Sequence, residues 1–539
     1  MLRMFLLAVV SGVLLWAAFF PLDLGFLGFV ALVPWLALVR ADMPRRQRYL
    51  AAYLGGFVFS ALATQWVRVA HPMMYASWAA LSLVLPLFWV LALDLIRRLD
   101  QLRLPLAVAV PVVWVALEYL RMHFPTGFPF LKPLGFYQMV GFGWYFLGYT
   151  QHANLWLIQI ADLGGVYAVS FVVGAVNGAI ADWLWRRRPN PAPTPPARMH
   201  AFATAGVVVL VVGSLIYGFV RLAHPPFMPG PRVAAIQGSV PQYEKNLKGV
   251  SLAEVYRSLH RQAVGSLPKP DLIVWPETCF ADDWVEVAPG EVPPEKFAQL
   301  ARECQVWFRE HPVGIPTLLG LNGLEWEGGR AWKYNSAVLL TAQGEKLGRY
   351  DKMHLVPFGE YVPFKETLPW MSTFTPYTHD YSCRPGEKWT RFRFDRADGQ
   401  SFRFACLICY EDSDTYIARQ YVTDEPVDFL VNISNDGWFD GTEEHEQHLA
   451  ICRFRAVETR RSVVRAVNMG ISAVIDPDSR VVALPGESWA ASKKIEGVVS
   501  AVVPLDGRRS WYATAGDWVA ASCWAVLLLG LVKSRFRHG

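Results

Sequence analysis

The sequence predicts a two-part fold: an α-helical membrane domain of eight transmembrane helices and an α/β domain held outside the bilayer. Three observations carry this expectation. The 539-residue chain is 53% hydrophobic and only 18% charged, with a mean hydropathy of +0.22, too apolar for a soluble protein of that length. Apolar runs close to the ~20 residues that cross a bilayer crowd the first part of the chain and return at its end. Between them, short β-like runs alternate with helix-like stretches, the pattern of strands packed between helices.

The first apolar run, Met4 to Phe20 behind Arg3, could be a secretory signal. No small-residue cleavage site follows, and a second run continues from Pro21 to Val39, so the pair reads as a retained helical hairpin. Leu50–Val67, Ser77–Ile96, Leu104–Leu120, Leu163–Trp185, Ala201–Val220 and Trp511–Val532 bring the spans to eight. Arg3, Arg40/Arg45/Arg46/Arg48, Arg97/Arg98/Arg103, Arg186/Arg187/Arg188 and Lys533/Arg535/Arg537 then fall on one side of the membrane. By the positive-inside rule both termini are cytoplasmic and Pro225–Leu505 lies outside. The expected domains are residues 1–224 (helices one to seven), 225–507 (outer domain) and 508–539 (the last helix and a cytoplasmic tail).

The connecting segments are read by composition. Arg121–Trp156, rich in Gly, Pro and aromatics (Trp144-Tyr-Phe146 among them), fits the membrane interface, as a plain loop or a lipid-handling one. Asn190–Pro196 is a short stiff linker, and Pro225–Pro231 marks the way into the outer domain. Asp23, Asp94, Asp162 and Asp182 lie within or near spans, most of them close enough to helix ends to reach water.

In the outer domain, strands are expected at Arg232–Gln237, Leu272–Trp275, Thr317–Leu321, Ser336–Leu340, Phe402–Cys409, Phe429–Ser434, Ser462–Ala466, Ser472–Ile475 and Val498–Val503. Helices are expected at Ala253–Val264, Glu295–His311 and His445–Arg460.

The bulk numbers also exclude. A net charge of +5 invites a nucleic-acid partner, but the arginines sit beside apolar runs, where topology explains them. Seven cysteines cannot all pair, and Cys406 and Cys409 form a lone C-x-x-C without a second half, so Cys406 reads as a core residue. Glu444, His445 and His448 share helical spacing without forming H-E-x-x-H, so they read as a solvated helix face and no metal is expected.

The chemistry is expected at Phe404-Ala-Cys-Leu-Ile-Cys-Tyr-Glu-Asp412. Apolar residues lead into Cys409 and carboxylates follow at once, which suits a buried strand ending in a sharp turn that fixes one sulfur at its lip. A thiol needs a base or a positive neighbour to become a nucleophile. Glu277 ends a strand in Val274-Trp-Pro-Glu-Thr278, and Lys352 sits among bulky residues in the run Tyr350–Phe364. Taken singly, the first could be a solvated loop carboxylate and the second a surface lysine.

Taken together they resemble the nitrilase (carbon–nitrogen hydrolase) superfamily: Glu in W-P-E, Lys in Y-D-K-x-H-L-V-P-F-G-E-Y-V-P and Cys in C-Y-E. Gln237-Gly-Ser-Val-Pro-Gln242, Tyr334-Asn-Ser-Ala337, Ser434-Asn-Asp-Gly-Trp-Phe439 and Arg465-Ala-Val-Asn-Met-Gly470 add to the likeness. With the flanking spans, and with Glu118, Arg121 and Gly127-Phe-Pro129, nearly the whole chain resembles the bacterial apolipoprotein N-acyltransferase family. That resemblance implies an αββα sandwich in the periplasm, carried on the inner membrane, with no cofactor. It implies acyl transfer from a phospholipid, through a Cys409 thioester, to the N-terminal amine of a diacylglyceryl-cysteine lipoprotein, by a protein acting as a monomer. Glu277 would be the base and Lys352 the oxyanion partner, aided by a backbone N–H near Tyr410, with Glu360, Glu411 and Tyr410 as supports and Asn335 and Trp438 as substrate contacts.

Two departures stand out. The family's Lys-Trp is Lys245-Asn246 here, which removes an expected aromatic contact to lipid, and its Asn-Asp-x-Trp-Phe-Gly ends in Asp440. Leu368–Tyr377 is an apolar excursion, expected either as a lid dipping toward the bilayer or as a loop packed on the domain. The competing readings are a membrane-anchored nitrilase-type amidase or other acyltransferase, and a non-enzymatic membrane scaffold. The intact Glu277, Lys352 and Cys409 count against the scaffold, and eight spans count against an enzyme of soluble substrates.

Overall fold

The computed structural model describes residues 1–124, 141–185, 197–246, 250–362, 365, 368–374 and 381–536. Pro125–Leu131, Arg186–Arg188, the Asn190–Pro196 linker and the end of the Leu368–Tyr377 excursion lie outside the described residues. The chain forms two compact units, one drawn from the chain before Pro225 and after Ser510, the other built on Pro226–Arg509.

The first unit is helical. Among the described residues, five helices are long and apolar enough to cross a membrane: Met74–Gln101, Leu106–His123, Ala161–Leu184, Arg198–Leu222 and Trp518–Phe536. Leu2–Ala17 is shorter, and Arg45–Ala63 opens on a polar, arginine-rich turn. The run from Pro21 to Val39 breaks into the short turns Gly25–Phe29, Val33–Leu36 and Ala37–Arg40, because Pro34 and two glycines interrupt the helical ladder. Leu2–Ala17 and Arg45–Ala63 meet where both are small: a Cβ on Gly12 would stand 2.4 Å from the Gly55 carbonyl oxygen.

Several charged groups inside this unit are paired. The Arg40 guanidinium lies 2.6 Å from Asp100 and 2.9 Å from Asp182. Asp162 bonds Arg221 at 2.7 Å and the Tyr217 hydroxyl at 2.8 Å. Asp162 and Asp182, expected near water at helix ends, are instead buried, because arginines from neighbouring helices reach in to neutralise them. Trp144, Tyr145 and Phe146, expected at the membrane interface, are also buried in the bundle. Tyr145 turns there at φ 56° and packs edge-on against Phe19, while the Arg121 guanidinium donates to its carbonyl at 3.2 Å. Glu118 accepts from Leu147 N at 2.6 Å and from Trp114 Nε1 at 3.1 Å.

The second unit holds two mixed sheets. One orders Gly497–Leu505, Met228–Gln237, Leu272–Val274, Thr317–Glu327, Arg330–Leu340 and Lys346–Asp351, with Trp284–Val287 also paired to Thr317–Glu327. The other orders Val481–Ala483, Ala473–Ile475, Val463–Asn468, Phe429–Asn435, Ser401–Ile408 and Phe392–Asp395. Within it, Ser401–Ile408, Phe429–Asn435 and Val463–Asn468 run parallel. Strand alternation sorts the side chains. Val233, Ala235, Leu272 and Val274 enter a core shared with Phe404 and Ile433 of the other sheet. Ala234, Ile236, Ile273 and Leu319 face Leu252, Tyr256 and Leu259 of the helix Val250–Gly265 and Phe308 of Glu295–Glu310. Ile417 and Leu449, from helices Thr415–Thr423 and Glu444–Thr459, join the shared core. Cys406 is fully buried within it.

Candidate active site

Strand ends deliver the site. Glu277 follows Leu272–Val274, Lys352 follows Lys346–Asp351, and Cys409 follows Ser401–Ile408. Two of these exits are strained: Thr278 has φ 50° and Cys409 φ 53°. Side chains other than glycine use that left-handed region sparingly, and keep it only where the surroundings hold it. At Cys409 the strand reverses into the short helix Cys409–Ser413, so the half-buried thiol stands at the end of the sheet rather than within it.

Charge is concentrated around Lys352. Its Nζ, 1% exposed, lies 3.2 Å from Glu277 Oε1 and 2.9 Å from Glu360 Oε2. Asn335 Nδ2 bridges the two carboxylates, donating to Glu277 Oε1 at 2.6 Å and Glu360 Oε1 at 2.7 Å. Backbone N–H groups add to both carboxylates: Asn435 N donates to Glu277 Oε2 at 2.9 Å and Val356 N to Glu360 Oε2 at 2.7 Å. Burial alone would lower the Lys352 ammonium, but Glu277 and Glu360 outweigh it and hold the group well above its usual range, so it stays charged.

The Cys409 thiol feels both partners. Burial and the Glu277 charge push it up to about 12, against the pull of Lys352 and His448. A thiol shifted in that direction needs a base to take its proton before it can act as a nucleophile.

Glu411 ties the Cys409 and Lys352 stretches together through their backbones. It accepts from Ile408 N at 2.7 Å, one residue before Cys409, and from Met353 N at 2.7 Å, one residue after Lys352. His354 N at 3.1 Å and the Tyr350 hydroxyl at 2.8 Å complete its shell. Burial still pushes its carboxyl up to about 7, against those donors and the Lys352 charge. Tyr410 packs edge-on against His354, with ring centroids 5.1 Å apart, and Trp438 sits half-buried in the turn Asp436–Phe439.

Several participants carry no sign in the sequence that marks them alone. Lys245 Nζ donates to the Glu277 carbonyl at 3.1 Å and to Thr278 Oγ1 at 2.7 Å. Asn435 contributes only its backbone. Arg465 did carry a signal: a charge in the middle of an otherwise apolar strand needs partners.

Those partners overturn one expectation. The helix Glu444–Thr459 has no solvated face and is buried along its whole length. Its charges are met inside the protein: His448 Nε2 lies 2.9 Å from Asp412 Oδ1, its Nδ1 lies 3.2 Å from Asp436 Oδ1, and Arg455 pairs with Glu458 at 2.9 Å. Asp436, Glu444 and His448 bring one ligand atom each within 4.8 Å, but Arg465, 2.9 Å from Asp436, already supplies positive charge there.

Residues 11–179 match the family described as the apolipoprotein N-acyltransferase N-terminal domain, and residues 232–513 match carbon-nitrogen hydrolase. The apolipoprotein N-acyltransferase of Geobacter metallireducens is 32% identical over 97% of this chain and 93% of its own. That of Rhodopirellula baltica is 28% identical over 97% of this chain and 96% of its own. That of Caulobacter vibrioides is 29% identical, over 99% and 94%.

Proposed function

The chain belongs to the apolipoprotein N-acyltransferase family, and on that premise we propose that it moves an acyl chain from a phospholipid to the N-terminal amine of a diacylglyceryl-cysteine lipoprotein. Glu277 takes the Cys409 proton, and the sulfur attacks the ester carbonyl. The Lys352 ammonium and a backbone N–H near Tyr410 receive the oxyanion. The tetrahedral adduct collapses to a thioester, and the lysophospholipid leaves as an alcohol with the proton from Glu277. The lipoprotein amine then attacks the thioester and gives a proton to Glu277, which returns it to the departing sulfur. An amide and a free Cys409 thiol remain. The observation that supports this most is the buried Lys352 ammonium held 3.2 Å from Glu277, with the Cys409 thiol pushed up by burial and by the Glu277 charge.

In this reading Glu360 and Asn335 keep Lys352 and Glu277 in place, Glu411 sets the flanking backbone, and Trp438 lies along the substrate path. Residues 225–507 form a periplasmic αββα sandwich on eight membrane spans, with residues 1–224 before it and 508–539 after it, and both termini cytoplasmic. The protein acts as a monomer in the inner membrane.

Transfer is tested by mixing the purified protein with phospholipid and a diacylglyceryl-cysteine peptide. The peptide should gain the mass of one acyl chain at its amine. Fatty acid released to water with no acyl-peptide would instead assign an amidase-like hydrolase.

A further inference from the structure

We infer that His448 is a positioning residue for acyl transfer: as an imidazolium bonded to Asp412 and Asp436, it joins Arg465 in holding the Cys409 turn in register with the loop that gives Glu277 its N–H. The inference rests on the thioester reading of Cys409.

The geometry sets the protonation of the ring. His448 is 2% exposed. Its Nε2 faces Asp412 Oδ1 at 2.9 Å, and its Nδ1 faces Asp436 Oδ1 at 3.2 Å and Glu444 Oε1 at 3.4 Å. A neutral imidazole carries one N–H, so either tautomer would point a lone pair at a buried carboxylate. With both nitrogens protonated, each becomes a donor.

The cluster then carries charges of both signs, and as pH rises past 7 Glu444 adds a further carboxylate that favours the imidazolium. Arg465, fully buried, bonds Asp412 at 3.2 Å and Asp436 at 2.9 Å, so two carboxylates meet two cations. Glu444 is pushed up to about 7, first by burial and then by Asp436. His445 is held down at about 4 by burial and adds no charge, and the Cys452 thiol beside Asp412 is pushed up to about 12. Burial and Arg465 pull His448 down, but Asp412 and Asp436 prevail and keep it charged.

This buried cluster touches both halves of the site. Asp412 belongs to the turn Cys409–Ser413. Arg465 also donates to Asn432 Oδ1, and Asn432 Nδ2 donates to the Cys409 carbonyl at 3.3 Å. Asp436 follows Asn435, whose N–H meets Glu277 Oε2 at 2.9 Å. Taking the His448 charge away leaves two buried carboxylates sharing one guanidinium, and they repel along the line that separates the nucleophile from its base.

The test uses the full-length protein in detergent. His448→Gln keeps a neutral amide in the same space. It should lower kcat for acyl transfer about tenfold or more while leaving KM for phospholipid within about twofold, because the group aligns reacting residues and binds no lipid. In wild-type protein with 15N-labelled histidine, one ring should keep both nitrogens protonated at pH 8, where an ordinary imidazole is neutral. That spectrum needs no variant, so a His448→Gln protein that fails to fold leaves the inference open to refutation. Wild-type kcat in a folded variant, the absence of such a ring, or one divalent cation per chain in the purified protein would each overturn it. A wild-type protein that forms no acyl-Cys409 would refute the thioester reading instead.

Discussion

Lys352 Nζ and Glu277 Oε1 lie 3.2 Å apart, with the ammonium 1% exposed. An ammonium that deep persists only because Glu277 and Glu360 both face it. The two carboxylates keep the Lys352 ammonium charged where it is buried.

Lys352→Met, which keeps the bulk and removes the charge, should reduce acyl-enzyme formation by about 100-fold or more. It also leaves Glu277 and Glu360 as unpaired neighbours, so its melting temperature should fall too. Single-turnover acylation followed by intact mass separates the effects, and a folded variant acylating at the wild-type rate contradicts the role given to Lys352.

Asn335 Nδ2 is shared between Glu277 and Glu360, and no other side-chain amide among the described residues bridges the pair. Asn335→Leu should slow acylation about tenfold, because each carboxylate loses a donor worth about 1–2 kcal/mol. Stopped-time assays at saturating phospholipid check this. Asn335→Asp should be worse, since it adds a third carboxylate around one ammonium.

Burial and Glu277 hold the Cys409 thiol at about 12, against an ordinary 9.0. At pH 8 the thiolate is therefore scarcer than in a free cysteine, and its share keeps rising through pH 9 and 10. Without lipid, iodoacetamide alkylation of the Cys409 peptide should climb about tenfold per pH unit between 8 and 10. A plateau below pH 8 would show a thiolate already formed. The same proton, retained by the folded chain and released by the unfolded one, contributes stability below pH 9 that is lost as pH rises toward 12.

Arg40, 6% exposed at its side chain, is the cation that Asp100 and Asp182 share. Arg40→Ala strands two buried carboxylates and should lower stability by about 3–5 kcal/mol. Loss of monodisperse protein in detergent, or a sharply lower melting temperature, measures it. Restoration by Arg40→Ala with Asp100→Asn and Asp182→Asn would show that unpaired charge causes the defect.

The sequence made the strands readable because their side chains alternate or form short apolar runs: Arg232–Gln237 and Phe429–Ser434 fall within observed strands. Trp284–Val287, Lys346–Asp351, Phe392–Asp395 and the helix Thr415–Thr423 escaped it, because they are short or mix charge into the pattern. The sequence pointed to Glu277, Lys352 and Cys409 through the motifs around each. It could not show that Glu411 works through the N–H groups of Met353 and Ile408, since backbone donors have no letter. Nor could helical spacing reveal that Glu444 and His448 face inward: their partners Asp412 and Asp436 come from other elements of the fold.

The most direct measurement is the intact mass of the purified protein after mixing with phospholipid alone. The wild-type chain should gain one acyl group that hydroxylamine removes, and Cys409→Ala should gain none. An acyl group on Cys409→Ala, or a wild-type chain that stays unmodified while the lipid is turned over, would contradict a thioester on this sulfur.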